Sequence, residues 1–267
     1  MNPELISLKN RFPFRLGCTS YVLPDHILPN VGFLADKVDG IELLLFEDDE
    51  TSNYPTPEEI KRLNEIAAEH NLAYSVHLPL YQKLGSRNEA ERTKGRDAIL
   101  RAVDATRALN PFAFDLHLEP DQYDKAKPVN DLVAWQDQHR KSLTEMIARG
   151  LPNKITGVET LEYPFEWVDD IVFDLNFNVC LDIGHVWLMN YDADAYLEKY
   201  LPRVRNVHLH GVENGKDHRS LDVLPPEQIA RFFNALAAVP RERMVCVEVF
   251  GIEKLHPSLQ ALKKRFA

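Results

Sequence analysis

Cysteine, glycine and positive charge are all scarce in this chain, and each scarcity excludes something. The 267 residues include only three cysteines, Cys18, Cys180 and Cys246. They are too few and too far apart for a disulfide framework or a Cys-x-x-Cys metal site. Each lies in or beside an apolar run, so they are expected to be small buried hydrophobes. Lysine and arginine total 31 against 41 aspartates and glutamates, a net charge of −10. Tracking along nucleic acid needs clustered cations, so nucleic acid is not the expected partner. A small phosphorylated substrate held through a metal remains compatible with that charge. No stretch approaches the roughly 18 apolar residues of a membrane span, and "MNPELISLKNRFPFRLG" has no apolar signal core. A soluble, cytoplasmic protein is expected. Neither GxGxxG nor GxxxxGK[ST] follows the first apolar run, which removes the common nucleotide-binding signatures. No Ser- or Gly-rich linker and no low-complexity tract divides the chain.

What is present is a regular alternation. Eight short runs rich in Val, Ile, Leu and Phe occupy 14–20, 39–46, 72–79, 112–119, 154–161, 177–184, 205–212 and 244–251. Continuous apolar runs of this length read as strands buried on both faces. Helical patterns fill gaps between them. "TPEEIKRLNEIAAEH" places Ile60, Leu63, Ile66 and Ala67 at helical spacing, with Thr56 as N-cap before Pro57. "RDAILRAVDATRAL", "DLVAWQDQHRKSLTEMIARG", "PPEQIARFFNALAAV" and "HPSLQALKKRF" follow, the second ending in a C-cap glycine. Eight strand–helix alternations in this length predict an α/β fold, a single (β/α)8 TIM barrel over 1–267. An open doubly wound sheet is the competing architecture, and it lacks its signatures.

In such a barrel the C-terminal ends of all eight strands meet at one mouth. The third run places His77 there, the fourth His117 and Glu119, the fifth Glu159, and the sixth Asp182 and His185. The seventh places His208 and His210, the eighth Glu248, and Asp217 and His218 follow in the loop after strand seven. A lone strand histidine is usually a satisfied core residue, but this is a set. At an effective dielectric near 20, two unit charges about 4 Å apart repel by roughly 4 kcal/mol. Glu159, Asp182 and Glu248 would therefore repel one another in a partly dry mouth. Protonation could relieve this, but divalent cations with His and carboxylate ligands fit better. The other histidines, His26, His70, His139 and His256, fall in helices or at their ends and are expected to be solvated. Glu42 either supports the cluster from behind or touches substrate, depending on strand register. Tyr21, Arg87, Arg219 and His210 are candidate substrate contacts. Arg87 belongs to a basic segment after strand three with Lys83, Arg92, Lys94 and Arg96, whose start is expected at the mouth; a solvated helix face is its other reading.

Taken in order, "GCTSY", "SVHLP", "DLHLEP", "GVETLE", "CLDIGH", "VHLHGV…KDHRSLD" and "VEVFG" resemble the xylose-isomerase-like barrel superfamily, which includes endonuclease IV and many sugar isomerases and epimerases. The resemblance implies a site for one to three divalent ions, zinc or manganese. His77, His117 and Glu159 would hold the first ion. Glu159 would bridge to a second, completed by Asp182, His208 and Glu248, and His185 would hold a third with His218. The family usually spaces that last pair as Asp-x-His, whereas Asp217 and His218 are adjacent here, which leaves Asp217 outside the pattern. Within the superfamily, "LGCTSYVLPDHILPNV", "DGIELLLFE" and "YSVHLPL" look closest to the cobamide-remodelling phosphodiesterases.

Three functions compete on this reading. The first is metal-dependent hydrolysis of a phosphodiester, specifically that of a cobamide nucleotide loop, with Glu159 or Glu248 activating water. The second is one-metal sugar isomerisation or epimerisation, with Glu159 and Glu248 as acid and base. The third is a non-catalytic metal or corrinoid carrier. A small corrinoid or phosphorylated molecule is the expected partner.

Overall fold

The computed structural model describes residues 4–48, 51–120 and 131–266. Seven strands follow one another around a parallel wall: β1 (Arg15–Thr19), β2 (Gly40–Leu44), β3 (Ala73–His77), β4 (Ala113–Leu116), β5 (Thr156–Glu159), β6 (Asn178–Asp182) and β7 (Val204–Leu209). A two-stranded antiparallel hairpin follows, β8 (Gly211–Glu213) and β9 (Lys216–Arg219). The last strand, β10 (Met244–Val247), pairs with both β7 and β1 and closes the barrel. The seventh apolar run is thus interrupted at His210. Asp217 and His218 lie on strand β9, not in an irregular loop.

Helices cover the wall: α1 (Ile27–Leu34), α2 (Pro57–His70), α3 (Glu89–Thr106), α4 (Leu132–Ala148), α5 (Asp169–Asp174), α6 (Ile183–Leu188), α7 (Ala193–Tyr200), α8 (Pro226–Ala238) and α9 (Ile252–Phe266). Helix α2 begins as its sequence dictates. Thr56 Oγ1 accepts the Glu59 N–H, and Glu59 returns a carboxylate to the Thr56 N–H at 2.8 Å. Its face of Ile60, Leu63 and Ile66 is buried. Helix α4 stops before Gly150, whose φ of 104° few other residues tolerate, with the Leu151 N–H returning to Met146 O. Helix α9 starts at Ile252, so Pro257 falls inside it and not at its first turn.

Strand register decides what the barrel encloses. Glu42 pairs with Ser75, His77 with Asp115, Glu159 with Cys180, and Asp182 with His208. Paired residues face the same side, and faces alternate along a strand. The inner wall therefore carries Glu42, Ser75, Asp115, Asn206 and Cys246 in one layer. Nearer the mouth it carries His77, His117, Glu159, Asp182, His208 and Glu248. Ile41, Val76, Phe114, Val158, Leu181, Val207 and Val245 alternate with them, and all are buried. Each such side chain contributes about 1.5–3 kcal/mol on burial, which lets the outer interface sustain a polar interior.

All three cysteines are free and buried, as their apolar surroundings implied. His139 is the reverse of its expectation. It has no exposed surface, packs edge-on against Trp135 at 4.4 Å between ring centres, and lies on the inward face of α4. Burial pushes its imidazole down to about 3. No helix of the described residues is long and apolar enough to cross a membrane.

Candidate metal centre

Glu159, the last residue of β5, stands at the centre of the mouth. Its Oε2 lies 3.0 Å from His117 Nε2, 3.4 Å from His77 Nε2 and 3.2 Å from His208 Nδ1. His208 Nδ1 is also 3.3 Å from Glu248 Oε2. On the other flank, Asp182 ends β6 and caps α6, its Oδ1 accepting the His185 N–H at 2.8 Å. This is why "CLDIGH" sets two donors three residues apart: the strand delivers Asp182 and the first helical turn folds His185 back over it. The His185 ring then lies 3.1 Å from Asp182 Oδ2 and 3.7 Å from Glu159 Oε1.

The donor atoms fall into overlapping groups, each within 4.8 Å: Glu159, Asp182, His208 and Glu248; His77, Glu159 and His208; His185, His210 and His218. Asp217, which the spacing left outside, comes within the same range of His185 and Glu162.

Each of four imidazoles in the cluster is tethered by one nitrogen. His77 Nδ1 lies 3.0 Å from Leu78 O, His117 Nδ1 3.1 Å from Glu119 Oε1, His185 Nδ1 3.2 Å from Thr160 O, and His218 Nδ1 3.1 Å from Glu248 O. In His77 and His117 this leaves Nε2 for Glu159, whereas His185 Nδ1 also lies 3.1 Å from Asp182 Oδ2 and His218 Nδ1 3.7 Å from Glu248 Oε2. Outer hydrogen bonds of this kind orient histidine ligands on metals. His208 is inverted: its Nε2 lies 2.9 Å from Glu42 Oε1 and its Nδ1 faces the carboxylates. Among the described residues, His208 Nδ1 and Glu248 Oε2 are buried without a hydrogen-bond partner. Orphaned buried donors and acceptors are costly, and a cation between them removes the cost.

The charge balance asks for the same thing. Burial works to raise Glu159 and Asp182, yet the surrounding imidazoles pull both below the usual carboxylate range. Burial likewise opposes a charged His117, but Glu159 and Glu119 outweigh it and push it up to about 10. The cluster stabilises positive charge at its centre.

Beneath this layer lies a second one. Glu42, for which the sequence leaves support and substrate contact both open, is wholly buried behind His208. Asn206 Nδ2 donates to Glu42 Oε1 at 3.2 Å and to Asp115 Oδ2 at 2.7 Å. Burial and the Glu42 carboxylate push Asp115 up to about 8, while His208 overcomes burial to hold Glu42 low, at about 2. Glu119 was placed at the mouth without a role, and Asp115, Asn206 and Thr160 were not assigned to the site from sequence. The signal was there for two of them: Asp115 precedes His117, and Asn206 precedes His208, by one strand repeat.

His210, a candidate substrate contact, is held between Asp182 and β9. It is fully buried, with Nε2 3.1 Å from Asp182 Oδ1, while its Nδ1 accepts the His218 N–H at 3.0 Å. That N–H is aimed by the left-handed backbone of His218, at φ 46°. The basic segment divides. Arg92 and Arg96 are buried and pair with Glu89, and Arg96 also reaches Glu145 at 3.1 Å, which ties α3 to α4. Lys83 pairs with Glu91 at 3.0 Å, and the exposed Arg87 pairs with Asp131 at the start of α4. Tyr21 is half-exposed and lines a cavity of about 490 Å³ with Ile27, Leu44, Phe46 and Tyr54, past the ends of β1 and β2. Arg219 follows His218 on β9 with a buried Nε that has no hydrogen-bond partner among the described residues.

A family model described as xylose isomerase-like TIM barrel matches residues 35–265. The chain belongs to this family. Its solved structural neighbours include a D-tagatose 3-epimerase-like protein, 20% identical, covering 94% of this chain and 97% of that one at a TM-score of 0.73. Another is the 3-keto-D-glucoside 4-epimerase from E. coli, at 14% identity, 94% and 98% coverage, and a TM-score of 0.70. Endonuclease IV from Thermus thermophilus matches at 17% identity, 94% and 99% coverage, and a TM-score of 0.66. At these identities the likeness is one of fold. No curated protein sequence matches the chain significantly. For this xylose isomerase-like barrel, function has to be argued from the site.

Proposed function

We propose that this chain is a metal-dependent enzyme hydrolysing a phosphodiester in a small substrate, with the nucleotide-loop phosphodiester of a cobamide as the specific candidate. One observation carries the reading: Glu159 has three histidines within 3.4 Å of a single oxygen, with His185 on its other side. Zinc takes about four ligands in most protein sites, and this mouth offers His77, His117, Glu159, Asp182, His185, His208, His218 and Glu248. That surplus suits two or three ions, zinc or manganese, with Glu159 shared.

Bound cations would supply Lewis-acid polarisation of the phosphoryl oxygens and neutralise charge developing there. The protein's own groups do the rest. Glu248, whose Oε2 has no hydrogen-bond partner among the described residues, or Glu159 takes a proton from the attacking water. Arg219 and Arg87 are the cations proposed to meet the substrate's anionic groups. The Tyr21 cavity would accept its non-reacting arm. Multiple imidazoles tethered on nearby oxygens hold their geometry without substrate, so little reorganisation is needed when it binds. The net charge of −10 favours a small diester over a nucleic acid.

A second reading has its own support. Glu159, Asp182, His208 and Glu248 alone form a complete buried set for one cation. Several structural neighbours are named as sugar epimerases. On that reading Glu159 and Glu248 would exchange a substrate proton, and His77, His117, His185 and His218 would contact sugar hydroxyls.

The deciding experiment loads the protein with zinc or manganese, counts ions per chain, and incubates it with a cobamide and with a panel of ketoses. Two or more ions and a hydrolysed cobamide are expected in the products resolved by mass spectrometry. A single ion with an epimerised ketose overturns the hydrolase.

A further inference from the structure

We infer that Glu42 is a positioning residue that fixes which nitrogen of His208 faces the metal. The inference rests on reading the mouth as a metal centre and is independent of which bond the enzyme breaks. His77 and His117 present Nε2 to Glu159 because their Nδ1 atoms are tethered on Leu78 O and Glu119 Oε1. His208 is reversed, and what lies on its far side is a carboxylate at 2.9 Å.

The alternatives for that nitrogen are weaker. Cys180 Sγ lies 3.4 Å from the same Nε2, but a thiol is a poor acceptor. Asp115, Cys180 and His208 do bring donor atoms within 4.8 Å of one another, yet Nε2 already points at Glu42. Glu42 is itself held in place: Asn206 donates to Oε1, and Cys246 Sγ approaches Oε2 at 3.4 Å. Strand register supplies the rest, since Glu42 sits on β2 facing Thr19 and Ser75 inside the wall. A carboxylate accepting Nε2–H leaves Nδ1 as the lone pair, aimed at Glu159 and Glu248. It also makes the ring a stronger donor to a cation. Glu42 thus acts on the reaction only through His208.

The test labels histidine with 15N, loads the protein with zinc and records long-range 1H–15N spectra. The His208 signal, identified by its loss in His208→Gln, is expected to show a ligated Nδ1 and a protonated, hydrogen-bonded Nε2. His77 and His117 are expected to show the opposite pattern. A ligated Nε2 on His208 overturns the inference, and this readout needs no Glu42 variant. In folded variants, Glu42→Ala should weaken zinc affinity roughly 10–100-fold, as loss of such an outer partner does. Glu42→Gln keeps an acceptor oxygen and should recover most of that loss. A folded Glu42→Ala with wild-type affinity and an unchanged His208 spectrum also overturns it. A protein that takes up no metal overturns both this inference and the proposed hydrolase. One that ligates zinc through His208 Nδ1 but cleaves no phosphodiester overturns the hydrolase alone.

Discussion

His117 Nε2 lies 3.0 Å from Glu159 Oε2, and the same oxygen faces His77 and His208. Among the described residues, Glu159 is therefore the one carboxylate common to two of the candidate donor groups. Glu159→Gln removes a charge from both. Metal content should fall by more than one ion, and hydrolysis by roughly 10²–10⁴-fold, the scale of a lost acid–base group. Folding should suffer less, because Asp182 and Glu248 no longer face a third buried carboxylate. Elemental analysis, product assay and thermal unfolding of the same sample check the three statements together.

His77 and His117 separate the two functional readings. Each is expected to hold an ion that Asp182, His208 and Glu248 do not hold. In His77→Ala and in His117→Ala, metal content should therefore drop by about one ion while the remaining site stays filled. Wild-type stoichiometry in both would leave the one-metal epimerase standing.

His139 should make the fold acid-labile. Its folded pKa is depressed to about 3 by burial, below the ordinary value of 6.5. The unfolded chain therefore binds the extra proton first. This contribution to stability is complete above about pH 6.5 and is lost at roughly 1.4 kcal/mol per pH unit as pH falls toward 3. His139→Leu should flatten that part of the denaturation profile of the metal-free protein. An unchanged slope between pH 6.5 and 4 would show that His139 does not carry it.

Gly184 is expected to be irreplaceable only while His210 is present. A Cβ at Gly184 would fall 2.2 Å from the His210 ring, which in turn holds Asp182. Gly184→Ala should lower both stability and metal affinity. In a His210→Ala background the same change should be neutral or stabilising, because alanine exceeds glycine in helix preference by about 1 kcal/mol. Equal cost in both backgrounds would locate the constraint elsewhere.

How much of this was legible in the sequence depended on contrast. The eight strands stand out because they are uninterrupted apolar runs, and the mouth because charged residues terminate those runs. His77, Glu159, Asp182 and Glu248 are visible for that reason. Helices α5 and α6, six residues each, are too short for a 3.6-residue period to declare itself. The hairpin was hidden because a single residue, His210, separates β8 from β7. The second polar layer was obscured by register. Glu42 could be placed behind His208 only once β2 was aligned to β1 and β3. His139 was misread although it shares the spacing of Trp135, Leu143 and Met146, the buried face of α4. Its polarity outweighed its position.

Among the described residues, β1 and β2 bring no donor atom to any of the candidate metal groups. The cavity bordered by Tyr21 and Phe46 opens past those same two strands. On the proposed function, the substrate's non-reacting arm would thus meet a different arc of the rim from the donor atoms. Substitutions at the exposed cavity positions Tyr21 and Phe46 would then reshape what enters while the donor atoms, and Glu42 behind His208, stay where they are. Natural variants of this barrel could therefore acquire new substrates by drift at a few surface positions, without passing through a form that has lost its ions.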